Sequence, residues 1–241
     1  MSWFSDGFAT TKSDLEEKKD QQLRNSARRF WVKTDTYTDV IFLDERAISF
    51  REHKFWNPGG GGSDEFTCLG LAGACPACLD GHEAQKVTVF SIIDTSKWSD
   101  KKGNVHENEK KLLVVYPEQA AALMEKKANW GGLSGKAVRI RRTGKTSPSS
   151  GNDFELLMRD ARPLVVDLSK YKDNQPFDYI KLFSPLHRDK ARILYARIQR
   201  NDQKSEAIAL DGATSGEYSA LPGGDAPPPS DLDESSSNIP F

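Results

Sequence analysis

The chain has 241 residues, enough for one substantial domain with appendages or for two small ones. Its 34 Lys and Arg nearly balance 35 Asp and Glu, for a formal net charge of −1, and 37% of the residues are hydrophobic. No apolar run is long enough to span a bilayer and no secretory hydrophobic region follows Met1, so composition argues for a soluble, cytoplasmic protein and against the membrane and secreted classes.

The near-neutral total hides an asymmetry. Residues 202–241 hold eight acids and a single base, Lys204, which leaves the preceding body basic. A basic body with an acidic tail is the charge layout of a protein that binds polyanions.

In chain order, residues 1–29 begin with Trp3, Phe4 and Phe8 and pass into a charged run. A helix over Asp14–Leu23 would have only Leu15 and Leu23 on its apolar face, so this segment reads as an arm, available for self-association. From Phe30 the pattern turns to strands. Phe30–Thr34 alternates, Thr38–Leu43 is β-branched and apolar, and Ala47–Phe55 leads into a turn at Gly59–Gly62. Glu65–Cys68 returns from it.

The stretch from His53 to His82 holds all three cysteines, Cys68, Cys75 and Cys78. Cys75-Pro-Ala-Cys78 places two thiolates on one tight turn, and Cys68 with one histidine completes a tetrahedron suited to zinc. Both His53 and His82 are eligible by spacing. Four protein ligands leave no open position, so the ion would be structural rather than catalytic. The competing readings are buried thiols and a redox motif, but a redox CxxC opens a helix within a βαβ unit, which the surrounding glycines do not suggest.

Beyond the cysteines, Lys86–Asp94 and Lys111–Tyr116 read as strands, with Thr95–Glu109 as a polar hairpin loop containing Trp98. Pro117 opens a helix over Glu118–Asn129 that ends at Gly131-Gly132. In Gly135–Arg142, Val138 and Ile140 face one side while Arg139 and Arg141 face the other, and Phe154–Met158 is the partner strand. Residues 163–201 are less regular, with a basic helix over Arg188–Arg200, and residues 201–241 have too little apolar surface to fold. The expectation is a mainly β body over residues 30–200, an OB-fold-like barrel with a zinc-binding insertion over about 50–85, a few helices and a disordered tail.

A barrel of this kind offers cations for phosphates and rings for bases. The cationic candidates are Arg28, Arg29, Lys33, Arg46, Arg51, Lys54, Lys86, Arg139, Arg141, Arg142 and Lys145. The ring candidates are Trp31, Tyr37, Phe55, Trp56, Phe90 and Trp98, of which Trp56 and Trp98 stand among polar neighbours and are best placed to be exposed. No Walker loop, nucleophile elbow or deaminase motif appears, and the chain reads as non-enzymatic.

The final residues, Asp231-Leu-Asp-Glu-Ser-Ser-Ser-Asn-Ile-Pro-Phe241, resemble the C-terminal peptide of bacterial single-stranded DNA-binding proteins. That resemblance implies recruitment of replication and repair enzymes through Asp231, Asp233, Glu234, Ile239, Pro240 and Phe241, although Ser235–Asn238 here separates the acids from Ile239. Thr38–Leu43, His53, Cys68 and Cys75-Pro-Ala-Cys78 resemble the core of the T-even-phage helix-destabilising protein family, a zinc-containing OB-fold that coats single-stranded DNA. The match spans roughly residues 30–160. It implies zinc on His53, Cys68, Cys75 and Cys78, favouring His53 over His82, and a role in DNA replication, recombination and repair in a host bacterium's cytoplasm. The arm departs from the family by beginning with aromatics. The alternatives are a zinc-stabilised adaptor that binds only proteins, and a CPAC oxidoreductase with a reversible dithiol and no stoichiometric zinc.

Overall fold

Alternating and continuous apolar runs pair into one antiparallel sheet in the computed structural model, which describes residues 27–56, 63–99 and 103–200. The strands of this sheet are β1 (Thr36–Phe42), β2 (Ile48–Trp56), β3 (Ser63–Thr67), β4 (Gln85–Ser99), β5 (Val105–Val115), β6 (Ala137–Arg142) and β7 (Asp153–Leu156), and Met158–Arg159 pairs with Arg162–Pro163 as a separate small hairpin. Four helices accompany them: α1 (Pro76–Leu79), α2 (Pro117–Trp130), α3 (Tyr179–Phe183) and α4 over residues 188–200. The mainly β expectation therefore holds. The sheet runs β3-β2-β4-β1-β6-β7, with β5 on the other edge of β4, and among the described residues its ends do not meet in a closed barrel.

β4 is the axis of this arrangement. One edge pairs with β5 over most of its length, and the other is divided between β2, at Gln85–Val89, and β1, at Ile92–Asp94. Its segment Val87–Asp94 is buried on both faces. Phe90 and Ile92 point into the largest core, with Phe42, Leu113, Val138, Ile140 and Phe154, capped by Leu123 of α2. Val87 and Val89 point the other way, against Phe177, Tyr179 and Leu182.

Three expectations need correction. Thr95–Glu109 is not a loop: β4 runs on to Ser99 and β5 begins at Val105, so the hairpin extends past the core as a ribbon. Cross-strand pairs hold it, with Trp98 opposite His106 and Lys97 opposite Glu107, where facing side chains replace an apolar face. Phe30–Thr34 is not a strand but an extended segment joined to β5 by one bridge, Arg29 to Leu112. It keeps the expected alternation, because Phe30 and Val32 are buried while Trp31 and Lys33 are exposed. A third element, α3, falls where the sequence reads only as irregular, since five residues are too few to show a helical period.

α2 follows its signals. Pro117 starts it, the Gln119 side chain accepts from the Tyr116 N–H at 2.8 Å, and Gly131 ends it with φ of 67°, a left-handed conformation suited to glycine. No helix of the described residues is long and apolar enough to cross a membrane. Most of the arm, the Gly59–Gly62 run and the acidic tail lie outside the described residues.

α3 is fastened to the sheet by a buried polar chain. The Ser91 hydroxyl lies 2.7 Å from the Tyr179 hydroxyl, which donates to the Asp44 carboxylate, while the Phe177 N–H donates to Ser91 Oγ at 2.9 Å. Asp44 Oδ1 is buried with no partner among the described residues. Burial is the main reason its carboxyl is pushed up from 3.8 to about 6. The folded state thus takes up this proton before the unfolded chain does. Its contribution is most favourable below the ordinary carboxylate range and is lost as pH rises through about 6. A tenfold difference in proton affinity between the folded and unfolded states is worth about 1.4 kcal/mol, so Asp44→Asn should cancel up to about 3 kcal/mol of the wild-type change in stability between pH 4 and pH 7. Urea midpoints of both proteins across that range measure it, and parallel pH profiles would contradict the assignment.

Candidate metal centre and tryptophan-lined groove

The cysteine stretch folds so that four donors converge. β2 carries His53, Cys68 follows the end of β3, and Cys75 and Cys78 bracket the start of α1, where Pro76 occupies the first turn. The Cys68 N–H is held by the Arg51 carbonyl at 2.8 Å, and the Gly70 N–H donates to Cys68 Sγ at 3.2 Å. The turn between needs glycine at 73, because a Cβ there would lie 2.5 Å from the Leu69 carbonyl oxygen.

His53 Nε2 is 3.3 Å from Cys75 Sγ and 3.4 Å from Cys78 Sγ, and Cys68 Sγ is 3.4 Å from Cys78 Sγ. All four donor atoms lie within 4.8 Å of one another. Ligands at about 2.0–2.3 Å from a tetrahedral ion are separated by about 3.5–3.8 Å, so the cluster has the size of a four-coordinate site. His53 and Cys75 are fully buried. Three thiols and one imidazole are the donor set of a soft or borderline cation, and the site is compatible with a structural metal.

His82 is not in the cluster. Its Nδ1 lies 3.2 Å from His53 Nδ1, behind the nitrogen that faces the sulfurs. A metal on His53 Nε2 leaves the Nδ1 proton to donate to His82, which orients the ring. Burial, and then the neighbouring His82, push the His53 pKa down, towards the neutral imidazole that ligation requires. Burial, with the adjacent Cys68 and Cys75, pushes the Cys78 thiol up to about 12, a proton that a bound cation would displace. Burial also acts to raise Cys75, but backbone hydrogen bonds from Cys78 and Leu69 outweigh it and set that thiol below its ordinary value. In a redox pair the attacking thiol must be reached from solvent. Cys75 is not.

The expected nucleic-acid contacts separate into groups. Arg28, Arg29, Trp31, Lys33 and Trp98 line one groove of about 400 Å³. Trp31 is 65% exposed within it. Trp98 stacks on His106 with centroids 4.1 Å apart and planes 9° apart, and its indole N–H donates to Glu109 at 3.2 Å. The groove's acids are already matched, because Lys111 Nζ lies 2.6 Å from Asp94 and 3.6 Å from Glu109. Sequence reasoning missed His106, which lies on a ribbon expected to be a loop, and Lys111, which opens an expected strand but was not read as part of a site.

A second group lies on β1 and β6. Tyr37 is paired across the strands with Arg141, and the Arg139 guanidinium sits 4.2 Å from the centre of the Tyr37 ring. Arg139 also grips Asp39 with two bonds, at 2.7 and 3.0 Å, and Arg141 meets Glu155 at 3.1 Å. A third pair is Lys54 with Trp56, the ammonium 4.2 Å from an indole that is 70% exposed.

Arg46, Arg51, Lys86 and Lys145 are exposed and have no ion pair among the described residues. Other candidates are committed inside the protein. Arg29 clasps the buried Glu52 carboxylate at 2.6 and 3.0 Å and reaches Glu65 at 3.3 Å. Arg142 donates to the Ser147, Val32 and Lys145 carbonyls. Phe55 packs on Phe66, Tyr195 and His82. Phe90 is a correction: it is 0% exposed and edge-on to Phe42, so no base can reach it. The tail residues Asp231, Asp233, Glu234, Ile239, Pro240 and Phe241 lie outside the described residues. Comparison with protein families, curated proteins and solved structures gives no match.

The different positions of the two histidines lead to different outcomes on substitution. His53→Ala should abolish stoichiometric binding of Co²⁺ or Zn²⁺, whereas His82→Ala should keep one equivalent with affinity weakened about 10–100-fold. Competition against a chromophoric chelator measures both, and equal loss in the two variants would make His82 a ligand.

Proposed function

We propose that the protein is a non-enzymatic single-stranded DNA-binding protein, with a structural zinc ion on His53, Cys68, Cys75 and Cys78. The observation that carries this reading is the groove in which Trp31 and Trp98 stand beside Arg28 and Lys33. Arg28 and Lys33 have no ion pair among the described residues, so their charge is available to phosphates, while the indoles offer stacking surfaces that accept any base. Tyr37 and Trp56 are further exposed rings that add stacking surface, while the cations beside them, Arg139 and Lys54, are paired with Asp39 and Glu65.

Two further features support the reading. The division of one edge of β4 between β1 and β2 is how a long strand bends around a small barrel, which favours an OB-fold-like body. The converging donors are those implied by the resemblance to the phage helix-destabilising family, in the order His, Cys, Cys, Cys. On this reading the protein works in DNA replication, recombination and repair in the bacterial cytoplasm. Its Ile-Pro-Phe tail recruits the enzymes involved and its arm promotes self-association.

The second reading, a zinc-stabilised adaptor for proteins alone, draws on Leu71 and Leu79, which stand 71% and 60% exposed on the cysteine loop.

Titration with oligo(dT) separates the two. A DNA-binding groove gives tryptophan quenching with an affinity that falls as salt rises. Trp31→Ala should cost about 1–3 kcal/mol of binding, the worth of one stacked base, with little change in stability because the ring is exposed. An adaptor would show no salt-sensitive quenching.

A further inference from the structure

Helix α4 lies outside the tryptophan groove, and its sequence divides into two faces. Ala191, Leu194, Tyr195 and Ile198 fall at i, i+3, i+4 and i+7, a single apolar stripe. Tyr195 and Ile198 are buried in a small core with Phe66, Cys75 and Ala77, against which Leu194 also packs. The Tyr195 ring is 5.5 Å from Phe55, and the Phe55 ring is 4.2 Å from that of His82. Gln199 Nε2 donates to Asp80, at the end of α1, at 3.0 Å. The helix is therefore seated on the loop that carries the metal ligands.

The exposed side is mainly cationic, although Ile193 is also exposed on it. Arg188, Arg192, Arg197 and Arg200 are exposed, none has an ion pair among the described residues, and Asp189 is the one acid between residues 188 and 200. Asp189 is spaced 3.5 Å from His187. A guanidinium presents a planar fork that matches phosphate oxygens. Four of them on one exposed arc about 20 Å long make a surface for a polyanion backbone.

We propose that α4 is a second phosphate-binding surface for the nucleic acid held in the groove, and that the metal centre serves to hold it in place. An ion on these donors would tie Cys68, Cys75 and Cys78 to His53 and so hold the apolar seat that α4 needs, since a lone 13-residue helix is marginal in water. The inference rests on the nucleic-acid reading above and adds to it a purpose for the cluster.

Two measurements on the full metal-loaded chain test it. With oligo(dT), Arg192→Ala/Arg197→Ala should retain the tryptophan quench but lower the slope of log K against log salt by about 1.4, two contacts at about 0.7 each. An unchanged slope with binding intact overturns the role of α4 alone. Tighter binding, as expected had the arginines held the chain's own acidic segment, overturns it too. No binding by the unaltered protein overturns the parent reading and this one with it. In the second measurement, brief trypsin digestion should spare the bonds after Arg192 and Arg197 with metal bound and cut them ahead of the sheet after chelation, because cleavage needs local opening. Equal protection in both states overturns the metal's part.

Discussion

A single strand buried on both faces holds this protein together. From Val87 to Asp94, β4 has one side chain after another in the interior, Phe90 and Ile92 in the core under α2, Val87 and Val89 in the one under α3, and Ile93 in a third with Ile41 and Leu43. Full burial leaves its backbone groups no water to bond, so both edges must be paired along the buried run. Two short strands on one edge and one long strand on the other meet that demand. The functional geometry follows from the ends of the same strand. Past the core, β4 carries Trp98 to the groove, and at its start it pairs with β2, whose far half delivers His53 to the cysteines.

Internal charge pairing then sorts the cations. Glu52 and Asp94 are almost fully buried, and each needs a cation close by, because an unpaired carboxylate in such a place costs several kcal/mol. Arg29 and Lys111 meet them. Asp39 draws Arg139 in the same way at a half-buried position. These residues shape the surface. The cations left without a carboxylate, among them Arg28 and Lys33 in the groove and the arginines of α4, are the ones with charge to offer a partner.

The cysteine loop solves a different problem. The small cluster of Phe66, Cys75, Ala77, Tyr195 and Ile198 buries few large side chains, and hydrophobic burial alone gives so small a core little stability. A metal on these donors would tie the end of β3 and α1 to β2 and supply what the core lacks, as structural ions do in other small modules. Phe55 links the two, touching both His82 and Tyr195.

Much of this was legible in the chain itself. Cys75-Pro-Ala-Cys78 with Cys68 marks a candidate metal site because two residues between thiols constrain their separation whatever the fold, and Pro117 with Gly131 marks the ends of α2 because each acts on its own backbone. Residues related across the sheet were not legible in the same way. Spacing left His53 and His82 equally eligible and only the resemblance favoured His53; the physical reason is the pairing of β2 with β3, which turns one imidazole towards the sulfurs and leaves the other behind it. Phe90 and Trp98 sit on one strand, yet one is enclosed and the other lines the groove, beyond a register shift between Asp94 and Lys97 that sequence alternation does not show. Period-two alternation tells which side chains share a face of β4, but only the covering by α2 and α3, and its end before Trp98, decides whether that face meets protein or solvent.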